Sequence, residues 1–312
     1  NYLNLNHGGK FAFQTLAWHT AEFKTFQLTK CYRQSEEEFI HNLNIIRNCT
    51  VKKELKKALK WLNKNIAITP HVNDQSFNIC PYNKDVNLIN TFLYEDLDSE
   101  EVEFNAVIRG NFPPDEYPAD TSIKLKLGCP VRILKNKAGN GPTSYVNGDT
   151  GIIGQLHSRF VALCLDDGHI VPVVRDNWQH NVYQLIKDGN VNRLDKKVIG
   201  IFNQMPLAVN FAGTIHSVQG SSMNHVHLFI DSPFFEAGQL YVALSRARTL
   251  AGLSMSRELT FEDIIPNPAI QEFYEALNAV DGEAYEPYQK LPSPNTEILT
   301  THQTHLGAFV PR

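Results

Sequence analysis

At 312 residues, with 42% hydrophobic and 20% charged side chains, the chain has room for two or three compact units, and its composition excludes wholesale disorder. A formal charge of −4, from 29 basic and 33 acidic side chains, excludes a global positive field, so any nucleic-acid affinity must come from local patches. No apolar run is long enough to cross a bilayer and no signal-peptide profile opens the sequence. The chain starts on Asn1, mid-pattern, so an excised or processed segment is expected.

In chain order, the first 25 or so residues, with Phe11, Phe13 and Trp18, read as aromatic packing without a clear element. Phe39, Leu43 and Ile46 recur at i, i+4 and i+7 and predict a helix from Gln34 to Ile46, with Ser35 as N-cap and Glu36 to Glu38 at its positive end. A second helix runs from Val51 to Lys64. Its apolar stripe is Val51, Leu55, Ala58 and Leu62, with Lys52, Lys56, Lys60 and Lys64 on the other side. Phe77–Cys80 reads as a buried strand ended by Pro81, and Asn83 caps a helix through Val86, Ile89 and Phe92. That strand–turn–helix unit builds parallel α/β sheets. The acidic stretch from Glu95 to Glu103 and Pro113, Pro114 and Pro118 mark a flexible boundary.

From about Ile123 the pattern changes to short β-branched runs separated by turns: Lys124 to Leu127, Val131 to Leu134, Gly151 to Gly154, Phe160 to Leu165 and Ile170 to Val174. Five such strands predict a small inserted β-barrel rather than a doubly wound sheet. After Phe202 the α/β pattern returns. Leu207 to Phe211 reads as a strand, Thr214 to Gly220 as a turn into a helix, and Val226 to Asp231 as a strand. Gln239 to Arg246 reads as a helix and Gly252 to Met255 as a final edge strand, followed by a helix from Ile270 to Leu277 and a polar tail expected to be mobile. Cys31, Cys49, Cys80, Cys129 and Cys164 are odd in number and contain no C-x-x-C pair, which suits reduced thiols rather than disulfides or zinc. His225 and His227 read as structural, with no metal site expected.

Several groups have the chemistry to meet phosphate. The turn from Thr214 to Gly220 brings together a hydroxyl, an imidazole and glycine-freed amides. Thr214 and His216 suit the phosphates of a strand, and Gln219 and Gly220 a nucleotide; an ordinary connection capped by Thr214 is the equal alternative. Arg246 ends its helix either as a solvated or capping cation or, facing a cleft, as a γ-phosphate contact. Arg33, at a strand-to-helix junction, carries the same two readings. For the lysine face from Lys52 to Lys64 the favoured reading is a solvated surface, with a nucleic-acid track as the other. Trp178, Tyr145 and Phe160 favour core packing over base stacking. The sequence contains no G-x-x-x-x-G-K-[ST] loop and no Asp-Glu pair after an apolar strand; Gly139 to Ser144 is glycine-rich but lacks the lysine. No Ser/His/Asp or Cys/His arrangement stands out.

Two stretches, Gly213-Thr214-Ile215-His216-Ser217-Val218-Gln219-Gly220 and Gln239-Leu240-Tyr241-Val242-Ala243-Leu244-Ser245-Arg246-Ala247-Arg248-Thr249-Leu250, resemble late motifs of the RecD/Pif-like superfamily 1 DNA helicases. Leu28 to Gln34 is similar to the motif that opens the second RecA-like domain of that family. Ile79 to Val86 is similar to a segment whose turn touches the strand backbone, although Tyr82 stands where a threonine is common. Leu127 to Asn136 with Val146 to Gly151 resembles the family's Src-homology-3-like insertion. Together these cover about residues 15 to 256. One departure is plain: where the family usually has His-Lys-Ser-Gln-Gly, this chain has His216-Ser217-Val218-Gln219-Gly220.

The resemblance implies an α/β fold, a RecA-like parallel-sheet domain with an inserted small SH3-like β-barrel. Residues 1–25 would be a linker, 26–122 and 204–265 the RecA-like domain, 123–203 the barrel, and 266–312 a C-terminal helix and tail. It implies the C-terminal portion of an ATP-dependent DNA helicase moving 5′→3′, with roles in DNA repair, recombination or replication. Arg33 and Arg246 would be its γ-phosphate arginines, and Gln34, Gln219 and Gly220 would be nucleotide-proximal. Tyr82, Asn83, Thr214 and His216 would contact single-stranded DNA. ATP and Mg2+ would both need a first RecA-like domain lying before Asn1, so the 312 residues alone are expected to be inactive. A monomer in the cytoplasm or nucleus, with no membrane association, is expected, and a viral or phage source stays open. The alternative is a non-catalytic nucleic-acid-binding or interaction module on a helicase-like scaffold.

Overall fold

A computed structural model describes residues 11–21, 23, 31–48, 51–137, 143–188 and 191–280. Cys49, Leu28 to Lys30, most of the glycine-rich loop after Lys137 and the tail beyond 280 lie outside the described residues. Two units divide the chain: Asn1–Gln27 with Pro268–Arg312, and Leu28–Asn267.

In the smaller unit, Thr15 caps the short helix Leu16–Thr20 by accepting the Trp18 N–H at 3.3 Å. The Phe13 ring stacks on Phe273 of the helix Pro268–Val280 at 4.3 Å. That helix extends past both ends of the apolar pattern, and it begins on a proline, which suits a first turn whose N–H has no partner.

The larger unit is built on a five-stranded parallel sheet in the order Ala67–Ile68, Leu253–Met255, Val226–Leu228, Phe77–Cys80, Ala212–Thr214. Its outer strand is Ala67–Ile68, so Leu253–Met255 is internal rather than the expected edge. One side is covered by the helices Glu37–Asn48, Lys52–Asn65 and Gln239–Leu244. Phe39, Leu43, Leu62, Ile79, Leu228 and Met255 pack together there, each fully burying a side chain that contributes about 1.5–3 kcal/mol. The first helix starts at Glu37, later than expected. The Glu36 carbonyl accepts the Ile40 N–H, so Ser35 is not its cap; the Glu36 carboxylate instead accepts the Leu250 N–H at 2.9 Å.

On the other side lies the helix Asn83–Glu95. Its N-cap is Tyr82, without a side-chain bond, so Asn83 is the first helical residue and not the cap. Ile89 and Leu93 are buried, whereas Phe92 faces solvent, because the inward face follows i, i+3, i+7 from Val86. Asn90 ties this helix to the sheet edge through the Ala212 N–H (2.9 Å) and carbonyl (3.4 Å).

Between these segments the chain makes antiparallel structure. Pro130–Ile133, Thr150–Leu156, Phe160–Leu165, Ile170–Val174 and Leu207–Val209 form a five-stranded sheet. Val131, Ile133, Val161, Leu163, Val171 and Val173 are all buried at alternate positions on its inner face. Two strand assignments change. Ser122–Lys126 leaves this group to pair with Glu101–Asn105, inside the stretch expected to be a flexible boundary. Leu207–Val209 pairs with Val131–Ile133 before Ala212–Thr214 enters the parallel sheet. A long hairpin, Asp176–Asp188 against Val191–Gln204, with Val107–Gly110 alongside, was not legible as strands from turn spacing.

Candidate functional site

Phe77–Cys80 and Ala212–Thr214 are parallel neighbours, so the segments leaving their C-terminal ends lie side by side, the usual place for a ligand site in an α/β sheet. From Thr214 the chain does not enter a helix as expected. It makes consecutive turns, with the Thr214 carbonyl accepting the Val218 N–H (3.2 Å) and the Val218 carbonyl accepting the Ser221 N–H (3.1 Å). Ile215 and Val218 are buried and pin the turn to the core. This turn therefore supplies no helix dipole of its own; side chains and turn carbonyls are what it brings to the site.

At the near end of the turn, the Thr214 hydroxyl accepts the Ser217 N–H at 3.2 Å, and Ser217 Oγ donates to the Thr214 carbonyl at 2.8 Å. His216 is exposed, with Nε2 3.0 Å from Glu236 Oε2 and its ring 5.9 Å from Phe235. Tyr82 lies 4.8 Å from the same Phe235 ring, and Lys84 Nζ is 5.7 Å from the Tyr82 ring. Tyr82, His216 and Phe235 thus form one aromatic surface with Asn83 exposed beside Tyr82. Sequence reasoning missed Phe235 and Glu236; adjacent phenylalanines in a proline-containing loop were the available signal.

At the far end two guanidinium groups converge. Arg33 donates from Nε to Ser222 Oγ (2.6 Å), from Nη1 to the Ser245 carbonyl (3.4 Å) and from Nη2 to the Gly220 carbonyl (3.4 Å). Arg246, only 5% exposed, donates from Nε to the Val242 carbonyl (2.7 Å) and from Nη1 to those of Ser221 (2.9 Å) and Val218 (3.4 Å). Its Nη2 donates to Ser245 Oγ at 2.8 Å. Buried Gln34 locks this corner by donating to the Ser245 and Ala247 carbonyls at 3.0 and 2.8 Å. Ser222 and Ser245 as acceptors were not among the residues assigned from sequence. Gly220 sits at φ +96°, a left-handed conformation that glycine adopts without strain. The helix before Arg246 is Gln239–Leu244, with Ser245 at its C-cap, so Arg246 lies just past the helix rather than in its last turn.

Neither arginine meets a carboxylate among the described residues. Burial, and next the like charge of Arg33, pulls the Arg246 pKa below its ordinary value. Two cations that share only neutral acceptors make a local field suited to an anion. Gln219 is exposed between the two ends, lining a shallow pocket of about 200 Å³ with Ile215, His216, Glu236 and Gln239. Among the described residues no His, Cys, Asp or Glu cluster has the makings of a metal site. Of the three aromatic side chains read as core, Tyr145 is buried, while Trp178 and Phe160 are partly exposed, with Lys135 Nζ 5.3 Å from the Trp178 ring.

No protein-family model matches the chain. It is 29% identical over 291 residues to the ATP-dependent DNA helicase PIF1 of Xenopus laevis, covering 86% of this chain and 40% of that protein. With the ATP-dependent DNA helicase Pif1 of Campylobacter jejuni the identity is 26% over 298 residues, covering 88% of this chain and 65% of the relative. Among solved structures, Bacteroides Pif1 in complex with ADP-AlF3 and ssDNA superposes with a TM-score of 0.70 at 32% identity, over 89% of this chain and 62% of that one. The parallel sheet is accordingly that of a RecA-like helicase fold, and the chain spans about half the length of the relatives it matches.

Proposed function

We propose, from a chain whose homologues are Pif1 helicases of the RecD/Pif-like branch of superfamily 1, that these residues form the C-terminal portion of an ATP-dependent DNA helicase. In this reading residues 26–122 and 204–265 make the second RecA-like domain, 123–203 is its SH3-like insertion, to whose antiparallel sheet Leu207–Val209 adds a strand, and 1–25 and 266–312 are a linker and a C-terminal tail. Arg33 and Arg246 take the γ-phosphate of ATP from one wall of the cleft, beside Gln34, Gln219 and Gly220. Tyr82, Asn83, Thr214 and His216 hold single-stranded DNA. ATP supplies the phosphoryl group; its phosphate loop and magnesium carboxylates come from outside these 312 residues, which contain neither motif. Movement is 5′→3′, as in the family the motifs resemble.

One observation carries the reading: both guanidinium groups reach the Gly220–Ser222 and Ser245 corner without a carboxylate among the described residues to neutralise them. A structural ion pair would have recruited an acid there. The turn that bears His216 at one end carries the arginines' acceptors at the other, so a phosphate drawing the arginines away acts on the segment that holds the strand. The test joins these residues to an upstream phosphate-loop domain and measures ATPase activity stimulated by single strands. Arg246→Ala is expected to lower it by about a thousandfold or more. A change within about threefold, below about 1 kcal/mol in barrier, removes Arg246 from the reaction.

The non-catalytic reading is favoured by Ser217. Its hydroxyl is turned onto the Thr214 carbonyl, where the resembled motif has a lysine free to meet phosphate. Strand-stimulated turnover in the joined protein separates the two readings.

A further inference from the structure

The helix Lys52–Asn65 carries a charge pattern that the site above does not use. At 3.6 residues per turn, Lys52, Lys53, Lys56, Lys57, Lys60 and Lys64 fall within an arc of about 140°. Leu55, Ala58, Leu59 and Leu62 lie buried on the opposite side. All six lysines are exposed. Six lysines against Glu54 give this helix +5 in a chain of −4, so the remaining residues together hold −9.

Among the described residues none of these lysines pairs with a carboxylate. Lys52 rests 5.5 Å from the Phe261 ring. Like charges one turn apart oppose helix formation by about 0.2–0.5 kcal/mol per pair, and Glu54 is the one carboxylate on the helix to set against them. The row Lys52, Lys56, Lys60, Lys64 advances about 6 Å per step along the axis while turning about 40° around it. Cations set at regular intervals by one helix suit the regular phosphates of a duplex, whereas a flexible strand or acidic peptide would lose conformational entropy in aligning to them. The helix leads directly into Ala67–Ile68, at the opposite edge of the sheet from Ala212–Thr214.

We propose that the lysine face of Lys52–Asn65 is a second nucleic-acid contact that binds the phosphate backbone of a duplex. It goes beyond the helicase reading and requires no nucleotide. The test titrates the 312-residue chain with a short blunt duplex and with a single strand over a range of salt. The variants are Lys53→Gln, Lys56→Gln, Lys57→Gln, Lys60→Gln and Lys64→Gln combined, the same five positions changed to Arg, and His216→Ala. Glutamine keeps helix propensity, and melting temperature reports folding. The glutamine variant is expected to bind duplex at least about tenfold more weakly, with the slope of log affinity against log salt reduced by about 3. The arginine variant keeps the slope, and His216→Ala keeps duplex binding. Unchanged duplex affinity and slope in the glutamine variant overturn the proposal. So does a loss confined to the single strand, or a loss of polyglutamate binding while duplex binding stays intact. None of these outcomes touches the assignment of Arg33 and Arg246.

Discussion

Arg33 and Arg246 meet at Ser245: Arg33 donates to its carbonyl at 3.4 Å and Arg246 to its hydroxyl at 2.8 Å. The two are not equivalent. Arg33 is partly exposed, while Arg246 is buried with its donors spent on the carbonyls of Val242, Val218 and Ser221. An anion drawn to this corner would reach Arg33 first, and Arg246 would have to exchange turn carbonyls for it.

That difference predicts unequal stability effects. Arg246→Ala empties a buried site and takes the donor from the Ser221 carbonyl, while the carbonyls of Val218 and Val242 keep the Ser221 N–H and the Ser245 hydroxyl, and it is expected to cost about 1–2 kcal/mol in denaturant unfolding. Arg33→Ala, whose site stays open to water, is expected to cost less than about 1 kcal/mol. Equal costs would mean that both arginines are merely structural.

Ser217→Lys restores a cation beside His216. Ser217 is exposed, and the change sacrifices one hydrogen bond, to the Thr214 carbonyl, worth about 1 kcal/mol. If the turn holds a strand, affinity for single-stranded DNA rises and the salt slope steepens by about 0.7 for the added phosphate contact. An unaltered slope in a fluorescence titration would take the turn off the strand path.

The α/β framework and the two arginines were legible because their signals are local: apolar periods of 3.6 and 2, and short motifs around Thr214 and Arg246. Phe39, Leu43 and Ile46 all fall in the core, and Phe77–Cys80 is the strand its apolar run implies. What local pattern did not carry was pairing. Leu207–Val209 and Ser122–Lys126 look like strands of one kind, yet their partners are chosen by tertiary contacts. The long hairpin was hidden because Tyr183, Leu185 and Leu194 stay exposed, and burial at alternate positions is confined to its base, as at Phe202 and Gln204. Within the site, the arginines were visible as charges, but their acceptors are mostly main-chain carbonyls, which carry no sequence signature.

His227 sets an acid limit on stability. It is fully buried in the central strand Val226–Leu228, with Nδ1 2.8 Å from Ser254 Oγ and Nε2 unpartnered. Burial lowers its pKa from 6.5 to about 4. Between those values the unfolded chain takes up a proton that the folded chain refuses, so stability falls as pH drops from 6.5 and levels off below about 4. The loss is up to about 3 kcal/mol. Urea midpoints across that range are expected to flatten in His227→Gln; an equally steep wild-type-like slope would assign the effect to other groups.

Two glycines near the arginines should fail for different reasons. At Gly220 a Cβ meets nothing within 4 Å, and only the φ of +96° is unfavourable, so Gly220→Ala is expected to cost about 1 kcal/mol and Gly220→Asn less. At Gly252 a Cβ would stand 1.9 Å from the Asn224 carbonyl oxygen, beside the Val226 N–H to Gly252 carbonyl bond at 2.8 Å. The overlap is with backbone, so the strands Val226–Leu228 and Leu253–Met255 must part. That disturbs the neighbouring bridge in which the Met223 N–H bonds the Arg246 carbonyl at 3.0 Å. Gly252→Ala is therefore expected to lose about 3 kcal/mol and to weaken nucleotide binding in the joined protein as well. Gly220→Ala is expected to change binding with little change in melting temperature. If Gly252→Ala melts like the unaltered chain, the two strands are not packed as closely as the sheet requires.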